Sequence, residues 1–158
     1  MMPPVMPPEF PLTALMKSAP WIYTLVETFH IWGFVLLAGS AILFDLRVLG
    51  LARDIPVRAA ARFLLPLSVG ATLIVFPTGV LLFALHPAEL LANRIFTIKL
   101  CLIFLAGCNA LAFHMISYGT VSKWDVNQPA PPLAKLFNAL SIMLWLSIIF
   151  CGRLLAPV

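Results

Sequence analysis

Charge is what this sequence has least of. Ten Lys+Arg and six Asp+Glu in 158 residues leave 10% charged positions, where an ordinary soluble domain carries about 25%. Too few polar side chains exist to clothe a folded surface in water, which excludes a soluble globular domain, a disordered chain and a nucleic-acid binder. Cysteine is scarce as well: Cys101, Cys108 and Cys151 are odd in number and form no CxxC pair, against a disulfide framework or a zinc site. Neither GxSxG nor HExxH occurs, and Ser40, Ser68 and Ser141 have no histidine and carboxylate partners at matching depth, so hydrolytic chemistry is not expected. Residues 1–20 lack the basic, apolar and small-residue regions of a secretory signal. The first span is therefore expected to direct insertion itself.

What the chain does have is apolar length. Hydrophobic residues make up 62% and the mean hydropathy is +1.04, and a membrane helix needs about 20 predominantly apolar residues. The chain predicts four spans, over about 21–44, 63–85, 95–118 and 136–155. Together they form one all-α integral membrane four-helix bundle (20–158), preceded by a proline-rich arm and interfacial turn (1–19). Ser18 with Pro20, and Asp54 with Pro56, read as helix N-caps followed by first-turn prolines. Pro66 and Pro77 interrupt the second span, and the carbonyls they free must find other donors.

The net charge of +4 reads as an orientation signal. Arg47, Arg53, Arg58, Arg62, Lys123 and Lys135 gather on the side reached after spans one and three, against Lys17 and Arg94 opposite, with Lys99 and Arg153 able to snorkel. The positive-inside rule then puts both termini on the outer, periplasmic side of a bacterial inner membrane.

Ionisable groups inside a span cost about 2.5–3.5 kcal/mol each on insertion scales, so they are expected to face the interior and pair. Projected at about 100° per residue, Glu27, His30, Phe34, Leu37, Ala41 and Asp45 form one stripe of span one. Lys99, Ala106, Ala110, Phe113, His114 and Ser117 share a face of span three, with Asn109 at its edge and Cys101 and Cys108 opposite, toward lipid. Asn138, Trp145, Ile149 and Arg153 fall in one sector of span four. By depth, Glu27, His30, His86, Lys99 and Arg153 converge on one outer level, and Asp45, Arg47 and His114 form a smaller set on the cytoplasmic side. The outer cluster is either a pocket for a polar group or a register-fixing ion pair of Glu27 with Lys99 or Arg153.

Haem b is one possible occupant. His30 and His114 lie in opposite halves of the membrane, on the order of 15–20 Å apart along the normal, whereas His30 and His86 share a side and are the candidate axial or metal ligands. A quinone head held by Glu27, His30, Lys99 and Arg153 is the other cofactor the cluster suits. Copper handling through Met1, Met2 and Met6 is a third alternative.

Glu27-Thr-Phe-His30-Ile-Trp-Gly33, Asp45-Leu-Arg47-Val-Leu-Gly50, Asn93-Arg-Ile-Phe-Thr-Ile-Lys99, Asn109-Ala-Leu-Ala-Phe-His114 and Trp145 through Gly152-Arg153 resemble an uncharacterised family of bacterial four-helix membrane proteins. The likeness covers about residues 20–155 and implies a four-helix inner-membrane bundle with no assigned activity. In architecture alone the chain is similar to membrane b-type cytochromes and copper-resistance D proteins. The expectation is a non-catalytic subunit or accessory protein in contact with the lipid bilayer and with other membrane subunits, the redox subunit standing as its alternative. The tryptophans and the small residues Gly33, Gly39, Ser40, Gly107 and Ala110 then serve close helix packing.

Overall fold

A computed structural model describes residues 11–155, and the prolines and methionines of residues 1–10 lie outside that range. Within it the chain folds as α1 (Pro11–Ser18), α2 (Pro20–Leu49), α3 (Val57–Leu85), the short α4 (Pro87–Ala92), α5 (Arg94–Ile116), a 3-10 turn over Tyr118–Lys123, and α6 (Pro132–Leu155). No strand occurs among the described residues. α2, α3, α5 and α6 are each long and apolar enough to cross a membrane.

The helices run past the expected spans, chiefly at the basic-loop end, where α2 continues to Leu49 and α3 begins at Val57. Thirty residues of α2 make a rod of about 45 Å, against a hydrocarbon core of about 30 Å. The extra turns are at the end of the basic loops. There they pack on the 3-10 turn in a core of Phe44, Val48, Val57, Ala61, Phe113, Val121, Trp124, Ala130 and Ala134.

Helix ends depart from the local capping expectation. Ser18 closes α1, its hydroxyl donating to the Leu15 carbonyl, and Ala19 is the residue that caps α2, with Pro20 in the first turn. Asp54 does not cap α3 either. Pro56 holds that position with no side-chain bond of its own, and Asp125, from the distant α5–α6 connection, accepts from the Arg58 N–H through Oδ1 and from the Val57 N–H through its carbonyl. A carboxylate placed by tertiary folding does the work that sequence proximity suggested for Asp54.

α2 ends at Gly50, left-handed at φ 117°, with the Leu51 N–H returning to the Leu46 carbonyl. Only glycine suits this place: a Cβ there would stand 2.8 Å from Arg53 Nη2, besides the penalty of the left-handed backbone.

α2 is the hub of the bundle. It packs along α3 on one side and α6 on the other, and α6 packs on α5. α3 and α5 lean together at the end away from the basic loops, where Phe83 and Phe96 stack at 5.6 Å. Between that stack and the core at the basic-loop end the two helices are not packed on each other, and the bundle is open there. Exposed leucine, isoleucine, valine and phenylalanine cover the outside of all four spans, as a lipid-facing surface requires.

Candidate functional site

The titratable side chains fall into two layers. In the layer nearer the termini, His30 leans on α3. Thr78 donates its hydroxyl to the Ile74 carbonyl at 2.6 Å, so the 2.9 Å contact between Thr78 Oγ1 and His30 Nδ1 assigns the proton to His30 Nδ1. Nε2 is left as an acceptor. The ring lies on Gly79, where a Cβ would meet Cε1 at 3.1 Å.

Lys99 is half-buried on α5 beside α6, its Nζ 3.7 Å from where a Gly152 Cβ would stand, and it is close enough to His30 to act on it electrostatically. Glu27, also half-buried, lies against the Tyr23 hydroxyl one turn earlier. The expected ion pair is not formed: among the described residues no contact within 4 Å joins Glu27 to Lys99 or Arg153. Arg153 is exposed near the end of α6, where a long cationic stem reaches the interface. The structure thus puts His30 and Lys99 within electrostatic range of each other and leaves Glu27 with a neighbour on its own helix.

His86 stands apart. Its side chain is 62% exposed at the junction of α3 and α4 and faces Glu89 at 3.6 Å. Since the His30 ring rests on Gly79, seven residues earlier on α3, the two imidazoles are offset by about 10 Å along that helix. Axial ligands must sit on opposite faces of one porphyrin at matching depth, and these residues do not fit a shared haem. No group of three His, Cys, Asp or Glu side chains forms a metal site among the described residues.

The second layer, toward the basic loops, is built differently from expectation. Asp45 and Arg47 do not act together. Arg47 is 6% exposed and turns to the loops, donating through Nε to the Ile55 carbonyl and through Nη2 to those of Asp125 (2.9 Å) and Arg53 (3.3 Å). Asp45, 5% exposed, turns inward and meets the Ser141 hydroxyl of α6. Ser141 therefore has a carboxylate neighbour, contrary to the sequence reading, and His114 lines the same cavity but is hydrogen-bonded to its own helix rather than to Ser141. His114 Nδ1 donates to the Ala110 carbonyl of its own helix at 2.9 Å, and its ring stacks on Tyr118.

Asp45 borders a cavity of about 410 Å³ lined by all four spans and open between α3 and α5, whose walls include Phe44, Ser68, Asn109, His114, Asn138 and Trp145. Each asparagine directs its amide NH₂ to backbone, Asn109 to the Phe137 carbonyl at 2.9 Å and Asn138 to that of Ala134 at 2.7 Å. Asp45 Oδ2 and Asn109 Oδ1 are buried without a hydrogen-bond partner. Leaving such a group unsatisfied costs about 1–3 kcal/mol, more when it is charged. Below them Ser40 and Ser68 join α2 to α3 by a hydroxyl–hydroxyl bond.

The sequence flagged Asp45, Asn109, Asn138 and Ser141 singly. Their assembly was missed because it needs the rotation of α5 and α6 about α2, which no one helix encodes. No family model, no curated protein and no solved structure matches the chain.

Proposed function

We propose that this chain is a multi-pass accessory subunit of a bacterial inner membrane, without catalysis of its own, with its basic loops in the cytoplasm and both termini on the periplasmic side. The observation that carries the orientation is the clustering of Arg53, Arg58, Arg62, Lys123 and Lys135 at one end of the bundle, where cytoplasmic loops bear their cations. The subunit role is supported by α3 and α5, whose apolar surfaces are mostly outward and whose facing sides are parted. Fusions at positions 53 and 127 should give fluorescent protein and inactive alkaline phosphatase, and fusions after 92 and 155 the reverse. The opposite pattern would overturn the orientation. Cross-linking in native membranes should join the chain to a second membrane protein, and recovery as the isolated chain alone would overturn the subunit reading.

A second reading, a quinone head held in the layer nearer the termini, draws support from the proximity of the His30 ring and the Lys99 ammonium. With Nδ1 bonded to Thr78, Nε2 is the ring nitrogen without a bond to that hydroxyl. Solvent extraction of the protein purified from native membranes should then recover a quinone in amounts comparable to the protein, and His30→Ala should lose it.

A further inference from the structure

We propose that the cavity at Asp45 is a binding site for a lipophilic ammonium, a protonated primary amine on an apolar, ring-bearing body, reached from the bilayer between α3 and α5. The two orphan atoms at its polar end, Asp45 Oδ2 and Asn109 Oδ1, are both acceptors. Asn138 has one of its two amide hydrogens on the Ala134 carbonyl and adds a further carboxamide to the cavity wall. An –NH₃⁺ group brings three donors and no acceptor, which is the complement of this set. Among the described residues no lysine or arginine lines the cavity, and His114, which does, is bonded through Nδ1 to the Ala110 carbonyl of its own helix. Arg47 points into the loops, and Arg62 lines a separate groove beside Tyr118 on the outside of α3. A buried carboxylate with no resident cation favours a ligand that supplies one.

The rest of the cavity sets the body of the ligand. Phe44, Phe113, Phe137 and Trp145 line it with rings, which hold apolar groups and attract a cation to their faces. Its volume of about 410 Å³ lies in the range of small-molecule sites. The route in is through the gap where α3 and α5 part, bordered by Val69 and Thr72 on one helix and by Gly107 and Ala110 on the other. Gly107 is exposed, and a Cβ built there meets nothing within 4 Å. A large side chain at 107 would fill the mouth without disturbing the packed helices.

The test is calorimetric titration of the full chain in zwitterionic lipid nanodiscs with 4-phenylbutylamine, empty nanodiscs serving as the blank. Saturable binding near one amine per chain is expected. The alcohol 4-phenylbutanol, which lacks the charge and two of the donors, should bind at least tenfold more weakly. Asp45→Asn and Gly107→Phe should each weaken the amine at least tenfold, the second with its melting temperature unchanged. No saturable binding above the blank would mean that the cavity holds water only and would overturn the proposal. Equal affinity for amine and alcohol would overturn its charge logic, and undiminished binding by both variants would overturn its location. None of these outcomes depends on membrane orientation or on a partner subunit, so this proposal and the accessory-subunit reading fail separately.

Discussion

Removing Arg47 should loosen one end of the molecule and leave the spans intact. Its guanidinium is the common partner of three backbone carbonyls on two connections: Arg53 and Ile55 between α2 and α3, and Asp125 between α5 and α6. Asp125 in turn receives the first N–H groups of α3, so the arginine holds the residue that caps a different helix. Each charge-assisted bond contributes about 1.5–3 kcal/mol net. Three of them at a 6% exposed side chain, reduced for water reaching loop carbonyls once the side chain is gone, put Arg47→Ala at about 3–5 kcal/mol. That corresponds to a fall in melting temperature on the order of 10 °C. Arg47→Lys keeps the charge but replaces a planar fork by a single ammonium, and should lose about half as much. Thermal unfolding in detergent, paired with limited proteolysis, measures both effects. New cleavage should appear in 50–56 and 124–131, with the spans still protected. The reasoning is refuted if Arg47→Ala costs less than about 1 kcal/mol, or if Arg47→Lys is as damaging as alanine.

Further substitutions separate close packing from open surface. Gly33→Ala should destabilise by about 1–3 kcal/mol, since its Cβ would stand 3.0 Å from Val75 Cγ2 and 3.1 Å from Ile74 Cγ2; Gly39→Ala, which meets nothing within 4 Å, should be neutral or gain a few tenths, as the same unfolding assay will read. Asp125→Ala should cost about 1 kcal/mol and speed amide exchange at Val57 and Arg58, whereas Asp125→Asn, which keeps Oδ1, should lose less than half of that. Thr78→Val removes one hydrogen-bond partner of the His30 ring and leaves the Val75 carbonyl as the other, and should shift the ring nitrogen resonances; an unchanged nitrogen spectrum would refute the assignment.

What was legible in the sequence and what was not divides along one physical line. Apolar length is local, and so the number of long apolar helices, the approximate places of the breaks between them and the outward placing of Cys101 and Cys108 follow from the chain itself, while the helix ends at Leu49 and Val57 do not. Helical rotation is local too. Asp45 and Arg47 differ by two residues, about 200° around the axis, and that alone separates the inward carboxylate from the outward guanidinium that depth had grouped together. Partnership is not local. Asp125 caps a helix whose first turn lies 67 residues earlier, and Asp45 finds Ser141 across the bundle.

The same line explains why the two layers of polar residues read so differently once folded. Near the termini the long side chain of Arg153 is exposed and that of Lys99 only half-buried, so their sequence positions overstate how tightly they must pair. Nearer the basic loops the polar groups are short: a carboxylate, two carboxamides and serine hydroxyls, which cannot reach out of the bundle. Short polar side chains must be satisfied where they stand, by helix neighbours or by something that comes in. Asn138 and Asn109 each place one amide hydrogen on backbone, and Asp45 Oδ2 and Asn109 Oδ1 are, among the described residues, the buried acceptors that the fold itself does not complete.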